Sequence, residues 1–390
     1  MTTVSEIVFD HSAGSNSKSL WTRKVGYIPT LDGWRAIAVF SVIAFHDRLH
    51  QWGSLSDATL HKYGNLGVDL FFAISGLLIC SRLLDEEEIH GRISLQGFYI
   101  RRFCRILPPV ICFLFVVGLL AITGFIHSSI GAWLSSLFFA NNYYSVHIHN
   151  VDWSLYTNHF WSLAVEEHFY LLLPAILCFL PKRRVKVLLV LTSVFFVYTI
   201  IIYSEPSLLK ALGGGFAEVR TDVKIDGLLF PAMLAVLLKR KAIRDLCTPW
   251  INPLTVGVLL VLLFFALHKS GVVPVTLVPF GFPLVILSTV LHPRSVFARI
   301  LEFRPLRFLG KISYSIYLWQ QLFFIGDHAP AAGPLNLLQS KPWSILVVLL
   351  FATASFYFIE KPFMRLGHRL APPATPGRAD LVGTSSKAAV

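Results

Sequence analysis

Apolar stretches recur along almost the whole chain, parted by short polar links. Ten of them read as helices that cross a bilayer: residues 33–50, 66–84, 108–126, 160–180, 185–203, 224–239, 253–268, 272–291, 311–328 and 342–363. A crossing helix needs about 20 mainly apolar residues, and many of these runs approach that length. No long polar stretch interrupts them. The pattern therefore predicts one all-α, polytopic bundle over residues 28–368, flanked by disordered tails at 1–27 and 369–390 that are rich in Ser, Gly, Ala and Pro. Segment 130–145 is apolar but short, and is expected to be re-entrant or interfacial. Residues 1–30 have no apolar core of the signal-peptide kind, so the first apolar run is expected to stay as a span.

The basic residues orient the bundle. Arg82, Arg92, Arg101, Arg102 and Arg105 fall in 82–105, Lys182, Arg183, Arg184 and Lys186 in 181–186, and Lys239, Arg240, Lys241 and Arg244 in 239–252. The intervening links are poor in them: 51–65 holds only Lys62, 268–271 only Lys269, and 127–159 none. Cytoplasmic loops carry the excess of Lys and Arg, so both termini are expected on the cytoplasmic side. The net charge of +12 is then a matter of topology, and no nucleic-acid partner is expected. Composition agrees, with 55% hydrophobic and 14% charged residues, where a soluble domain has about a quarter charged. The five cysteines form no CxxC pair, so neither disulfide nor metal site is expected.

Charges inside hydrocarbon cost several kcal/mol unless paired or hydrated, which makes each one a candidate for function. LDGWRAIAVFSVIAFHD carries Arg35 near its cytoplasmic end and His46 eleven residues later, about 16 Å further out. Asp69 opens the second span. Trp161, Ser162, Glu166 and Glu167 lie in the outer half of the fourth, and Arg220, Asp222, Lys224 and Asp226 flank the sixth. Adjacent helical residues point about 100° apart, so only one of Glu166 and Glu167 faces a common site, and Glu166 is taken as that one. Two readings compete: structural ion pairs at helix ends, such as Arg220 with Asp222, or a water-filled chamber opening outward. At the inner side, Arg102 and Arg105 share a helix face with Arg101 beside them. They are either a topology signal or a site for the phosphates of a nucleotide-bearing donor such as coenzyme A.

Taken together, these segments resemble the acyltransferase-3 family. Arg35 and His46 fit its Arg-x10-His feature, and GVDLFFAISG, RRFCRILP, FWSLAVEEHFYLL, KISYSIYLWQQLF and FIEKPF follow in the family's order over residues 28–365. The resemblance implies a bacterial inner-membrane enzyme that transfers an acyl group, usually acetyl, from acyl-CoA to a hydroxyl of a saccharide or glycosylated acceptor. No permanently bound cofactor is implied. The resemblance also makes His46 the essential catalytic residue, with Asp69 or Glu166 to orient its ring. Arg35, Arg101, Arg102 and Arg105 are then expected to bind the donor, and Trp161, Ser162, Glu167, Arg220 and Asp222 the acceptor. The chain departs from many relatives at Gln320, where they carry His. Some relatives bear an added extracytoplasmic esterase-like domain, which is not expected in this chain. A transporter or flippase for a lipid-linked sugar or small acidic solute is the alternative that composition leaves open.

Overall fold

The computed structural model describes residues 27–46, 66–147, 155–213, 218–268, 272–325 and 331–372. Most of both expected tails and the loop residues Trp153 and His149 lie outside them. The described residues are overwhelmingly helical and contain no strand. The main helices are α1 (Pro29–His46), α2 (Leu66–His90), α3 (Leu95–Ile122), α4 (Ile130–Leu137), α5 (Asn141–His147), α6 (Phe160–Phe179), α7 (Arg184–Ser204), α8 (Asp226–Lys239), α9 (Pro253–His268), α10 (Val272–Leu291), α11 (Arg304–Lys311), α12 (Ser313–Phe323), α13 (Trp343–Ser355) and α14 (Lys361–Leu370).

Each of the ten apolar runs carries a helix. Five helical stretches are long and apolar enough to cross a membrane: Leu66–His90, Leu95–Ile122, Phe160–Phe179, Arg184–Ser204 and Trp343–Leu370. The last of these joins α13 to α14 through a π-helical turn over Phe356–Glu360. α12 has 11 residues, too few to cross hydrocarbon alone at 1.5 Å per residue. The short segment 130–145 splits into α4 and α5, of 8 and 7 residues, neither of which can cross.

α2 is the central element, with most of its residues buried and with α1, α6, α8 and α10 against it. Glycine makes two of these contacts close. A Cβ on Gly67 would stand 2.4 Å from the Ala38 carbonyl oxygen, and one on Gly76 would stand 2.5 Å from that of Leu228. Lipid supplies little hydrophobic drive between helices, so small residues that let backbones approach do much of the packing. α2 ends in the acidic run Asp85–Glu88. Glu86 pairs with Arg101, Glu87 with Arg184, and Asp85 and Glu88 with Lys239. Three links expected on the cytoplasmic side are thus tied together at one end of the bundle, called the basic end below.

Candidate active site

A cavity of about 250 Å³ enters the bundle near the basic end. Helical periodicity builds its walls, because residues three or four apart share a face. α2 contributes Phe71, Phe72, Ser75, Arg82 and Glu86; α3 contributes Phe98, Arg101, Arg102 and Arg105; α6 contributes Ser162, Glu166 and Tyr170. Arg35 of α1, Ser313, Tyr314 and Tyr317 of α12, and Met364 and His368 of α14 also line it, with apolar side chains of α2, α3 and α6 between them. All four arginines expected at the donor site therefore line one cavity.

Their partners differ. Arg35 bonds Asp32 at 2.9 Å, and Arg101 bonds Glu86 at 3.2 Å. Arg102 lies over the Tyr170 ring, 4.1 Å from its centroid. Among the described residues neither Arg102 nor Arg105 has a carboxylate within salt-bridge distance. Deeper in, Glu166 accepts hydrogen bonds from Ser75 at 2.9 Å and Tyr170 at 2.8 Å. Glu167, its neighbour, does not line the cavity, as the 100° step between adjacent residues requires. At the deep end the Ser162 and Tyr317 hydroxyls share a short hydrogen bond, and the main-chain carbonyl of His159 lies within reach of both, so one hydroxyl donates to that carbonyl while the other donates across the pair.

His46 ends α1. Its Nδ1 lies 2.9 Å from the Val42 carbonyl oxygen. A carbonyl only accepts, so the neutral ring carries its proton on Nδ1 and presents Nε2 as a base. Val42 is thus one group that orients the ring, the role for which the sequence offered Asp69 or Glu166. Asp69 instead pairs with Lys224 at 3.3 Å, and Glu166 is engaged inside the cavity.

Toward the opposite end, Arg220 grips Asp222 with two hydrogen bonds of 3.0 Å. Tyr198 donates to the same carboxylate at 2.9 Å, and the Arg220 guanidinium lies 5.6 Å from the Tyr143 ring centroid. Burial pushes the Asp222 carboxyl up, but Arg220 and Tyr198 outweigh it and hold it below its ordinary range. Beside this pair, Thr221 joins Asn142 at 2.8 Å and His168 at 2.7 Å. Trp161 packs edge-on against Phe72, with centroids 6.2 Å apart, and so backs the cavity wall. The expected acceptor residues thus fall in two places, Ser162 and Trp161 at the deep end of the cavity and Arg220 with Asp222 in the outer network.

Sequence reasoning counted Arg82 only as a topology signal and missed Ser75, Tyr170, Tyr317, His159, Met364 and His368. The stripe Ser75, Arg82, Glu86, at i, i+7 and i+11, was the available sign for α2. Nothing local marked the contribution of α14, which depends on a tertiary contact. Among the described residues no His, Cys, Asp and Glu group is arranged to hold a metal ion.

Comparison with known proteins agrees with this architecture. The chain is similar to the peptidoglycan O-acetyltransferase OatA of Listeria monocytogenes, with 31% identity over 388 residues that take in 87% of this chain and 56% of that protein. It is also similar to the O-acetyltransferase OatA of Staphylococcus aureus, with 30% identity over 377 residues, 88% of this chain and 58% of that one. The chain therefore spans little more than half the length of these relatives. No solved structure matches it significantly. The acyltransferase-3 family profile, described as an acyltransferase domain, matches residues 28–361, and the chain belongs to that family.

Proposed function

We propose that this chain is a multi-pass O-acyltransferase of the bacterial inner membrane, with ten spans and both termini in the cytoplasm. It takes an acetyl group from acetyl-CoA at the cytoplasmic mouth and delivers it to a saccharide hydroxyl at the opposite end, with a peptidoglycan glycan strand as the first acceptor to try. The observation that carries this reading is a cavity walled by Arg102 and Arg105, which among the described residues have no carboxylate at salt-bridge distance, and reaching Ser162 and Tyr317. Guanidinium groups bind phosphate oxygens bidentately, so the nucleotide stays at the mouth while the slender pantetheine arm extends toward Ser162 and Tyr317. There the acceptor hydroxyl attacks the thioester carbon as its proton moves to His46 Nε2. The C–S bond breaks, and the proton passes to the departing sulfur. Arg220, Asp222 and Tyr143 supply the polar and aromatic chemistry of the acceptor side.

The test uses the purified full chain, radiolabelled acetyl-CoA and an N-acetylchitooligosaccharide as acceptor probe. Wild-type protein releases CoA thiol and labels the saccharide. His46→Ala inserts and expresses but loses transfer by at least ~100-fold, the lower range for removal of a general base. Full activity in His46→Ala, or solute flux in sealed vesicles without any CoA chemistry, would refute the assignment.

A further inference from the structure

The first turn of α1 is wedged between neighbours by two glycines. A Cβ on Gly310 of α11 would stand 1.8 Å from the Asp32 carbonyl oxygen, and one on Gly33 would stand 2.4 Å from that of Leu301. Backbone therefore meets backbone on both sides of Asp32, which is only 3% exposed. A buried carboxylate needs partners, and both oxygens of this one have them. Oδ1 accepts from the Arg35 guanidinium at 2.9 Å, and Oδ2 accepts from the Tyr27 hydroxyl at 2.5 Å. The Tyr27 oxygen in turn accepts from Arg307 of α11 at 3.1 Å. Arg307 and Lys311 each lie 5.5 Å from the Tyr27 ring centroid. A chain of hydrogen bonds thus runs from α11, which does not line the cavity, to Arg35, which does.

Asp32 also stays off the cavity wall. That separates it from Glu86, which lines the cavity and pairs with Arg101. A carboxylate on the wall meets an incoming phosphate directly, whereas one behind the wall acts only on its arginine. Arg35 shares the cavity with Arg101, Arg102 and Arg105, and like charges drive a long, rotamer-rich side chain apart from its neighbours. Asp32 supplies the opposing pull from a fixed point. It engages one of the five guanidinium N–H groups, and among the described residues no second carboxylate reaches Arg35.

We propose that Asp32, braced by Tyr27 and Arg307, is a positioning residue that sets the Arg35 guanidinium in the cavity, so that the contact between α1 and α11 governs how tightly the phosphates of acyl-CoA are held. This inference rests on the function proposed above. The plainer role for Asp32 is to oppose the partial positive charge at the N-terminus of α1. That role would be the same with or without Arg35, and the two are separated by experiment.

KM and kcat are measured in lipid nanodiscs for wild type, Asp32→Asn, Arg35→Ala and the double variant, with acetyl-CoA and the chitooligosaccharide probe. Asp32→Asn keeps the side chain's size and removes its charge. It should raise KM for acetyl-CoA ~tenfold, the scale of one hydrogen bond to a charged group, with kcat within about twofold. Added to Arg35→Ala, it should change KM by less than about twofold, because members of one network do not add. KM for acetyl-pantetheine, which lacks the nucleotide phosphates, should not move in Asp32→Asn. Tyr27→Phe keeps the ring and removes the hydroxyl, and should raise KM for acetyl-CoA about threefold. Additive effects of Asp32 and Arg35, or equal loss with acetyl-pantetheine, overturn the proposal, because the stability of the helix end would then explain the aspartate. An unmoved KM in Tyr27→Phe overturns the bracing from α11. If Asp32→Asn does not fold, Tyr27→Phe with and without Arg35→Ala carries the same cycle, since Tyr27 is 47% exposed. A wild-type chain that releases no CoA refutes the proposed function itself, whereas one that releases CoA without coupling between these residues refutes only the positioning.

Discussion

Two charged regions sit at opposite ends of this bundle and are wired differently. In the outer network the basic groups have immediate opposites: Arg220 has Asp222, and Lys224 has Asp69. In the cavity, Arg102 and Arg105 lie one turn apart on α3 with no carboxylate at salt-bridge distance among the described residues, and Arg102 rests on the Tyr170 ring. A paired charge is already satisfied and offers hydrogen bonds without net field, which suits an uncharged sugar. An unmatched pair of guanidiniums in a confined space is costly until an anion arrives, which suits a polyphosphate. The same residue type thus signals different chemistry according to what stands beside it.

The sharpest way to break this contrast is to remove the unmatched pair. Arg102→Ala with Arg105→Ala should raise KM for acetyl-CoA at least tenfold, since a hydrogen bond to a charged group contributes about 1.5–3 kcal/mol. Acetyl-pantetheine, which has the thioester but no nucleotide phosphates, serves as the control. Its KM should hardly move in the double variant. Equal loss with both donors would place the arginines in the helix packing instead of at the phosphates.

Glu86 offers a smaller effect of opposite sign. It lines the cavity, pairs with Arg101 at 3.2 Å and accepts from the Ser94 N–H at 3.1 Å. Its carboxylate both occupies one arginine and repels an incoming phosphate. Glu86→Gln keeps an acceptor for Ser94 and removes the charge. Titration with acetyl-CoA should show affinity rising a few-fold, about the size of one partly screened charge interaction. Weaker binding would mean that Arg101 needs Glu86 to hold it in place.

How much of this was legible beforehand follows from which forces act locally. The apolar runs, the basic links and the face shared by Arg102 and Arg105 are matters of period and composition, and they were read correctly as helices and a common face. The acidic run Asp85–Glu88 could be seen in the sequence, but its three partners come from α3, the start of α7 and the end of α8, which only folding joins. Glu166 was taken to face inward, and it lines the cavity. Its partners, Ser75 and Tyr170, were hidden because a serine and a tyrosine in apolar helices look like packing residues until a carboxylate is set between them. His159 drew no notice, since a single histidine before an apolar helix has many uses.

The smallest effect belongs to the outer pair, and it closes the comparison. Arg220 and Asp222 are about a quarter exposed, with side-chain exposures of 22% and 26%, so water screens their attraction. A double-mutant cycle with Arg220→Ala and Asp222→Ala, read by thermal unfolding in micelles, should give a coupling of about 1 kcal/mol or less. The Asp222 carboxyl is held below its ordinary range, so its contribution is present above the unfolded-state value and is lost as pH falls through the lower folded one. The coupling should therefore be flat across neutral pH and fade only in strong acid. KM for acetyl-CoA should stay at the wild-type value in all three variants, whereas KM for the saccharide should rise if hydroxyls bridge this pair. A change in donor KM would join the two regions into one electrostatic unit and remove the distinction between a satisfied outer network and a cavity that awaits its anion.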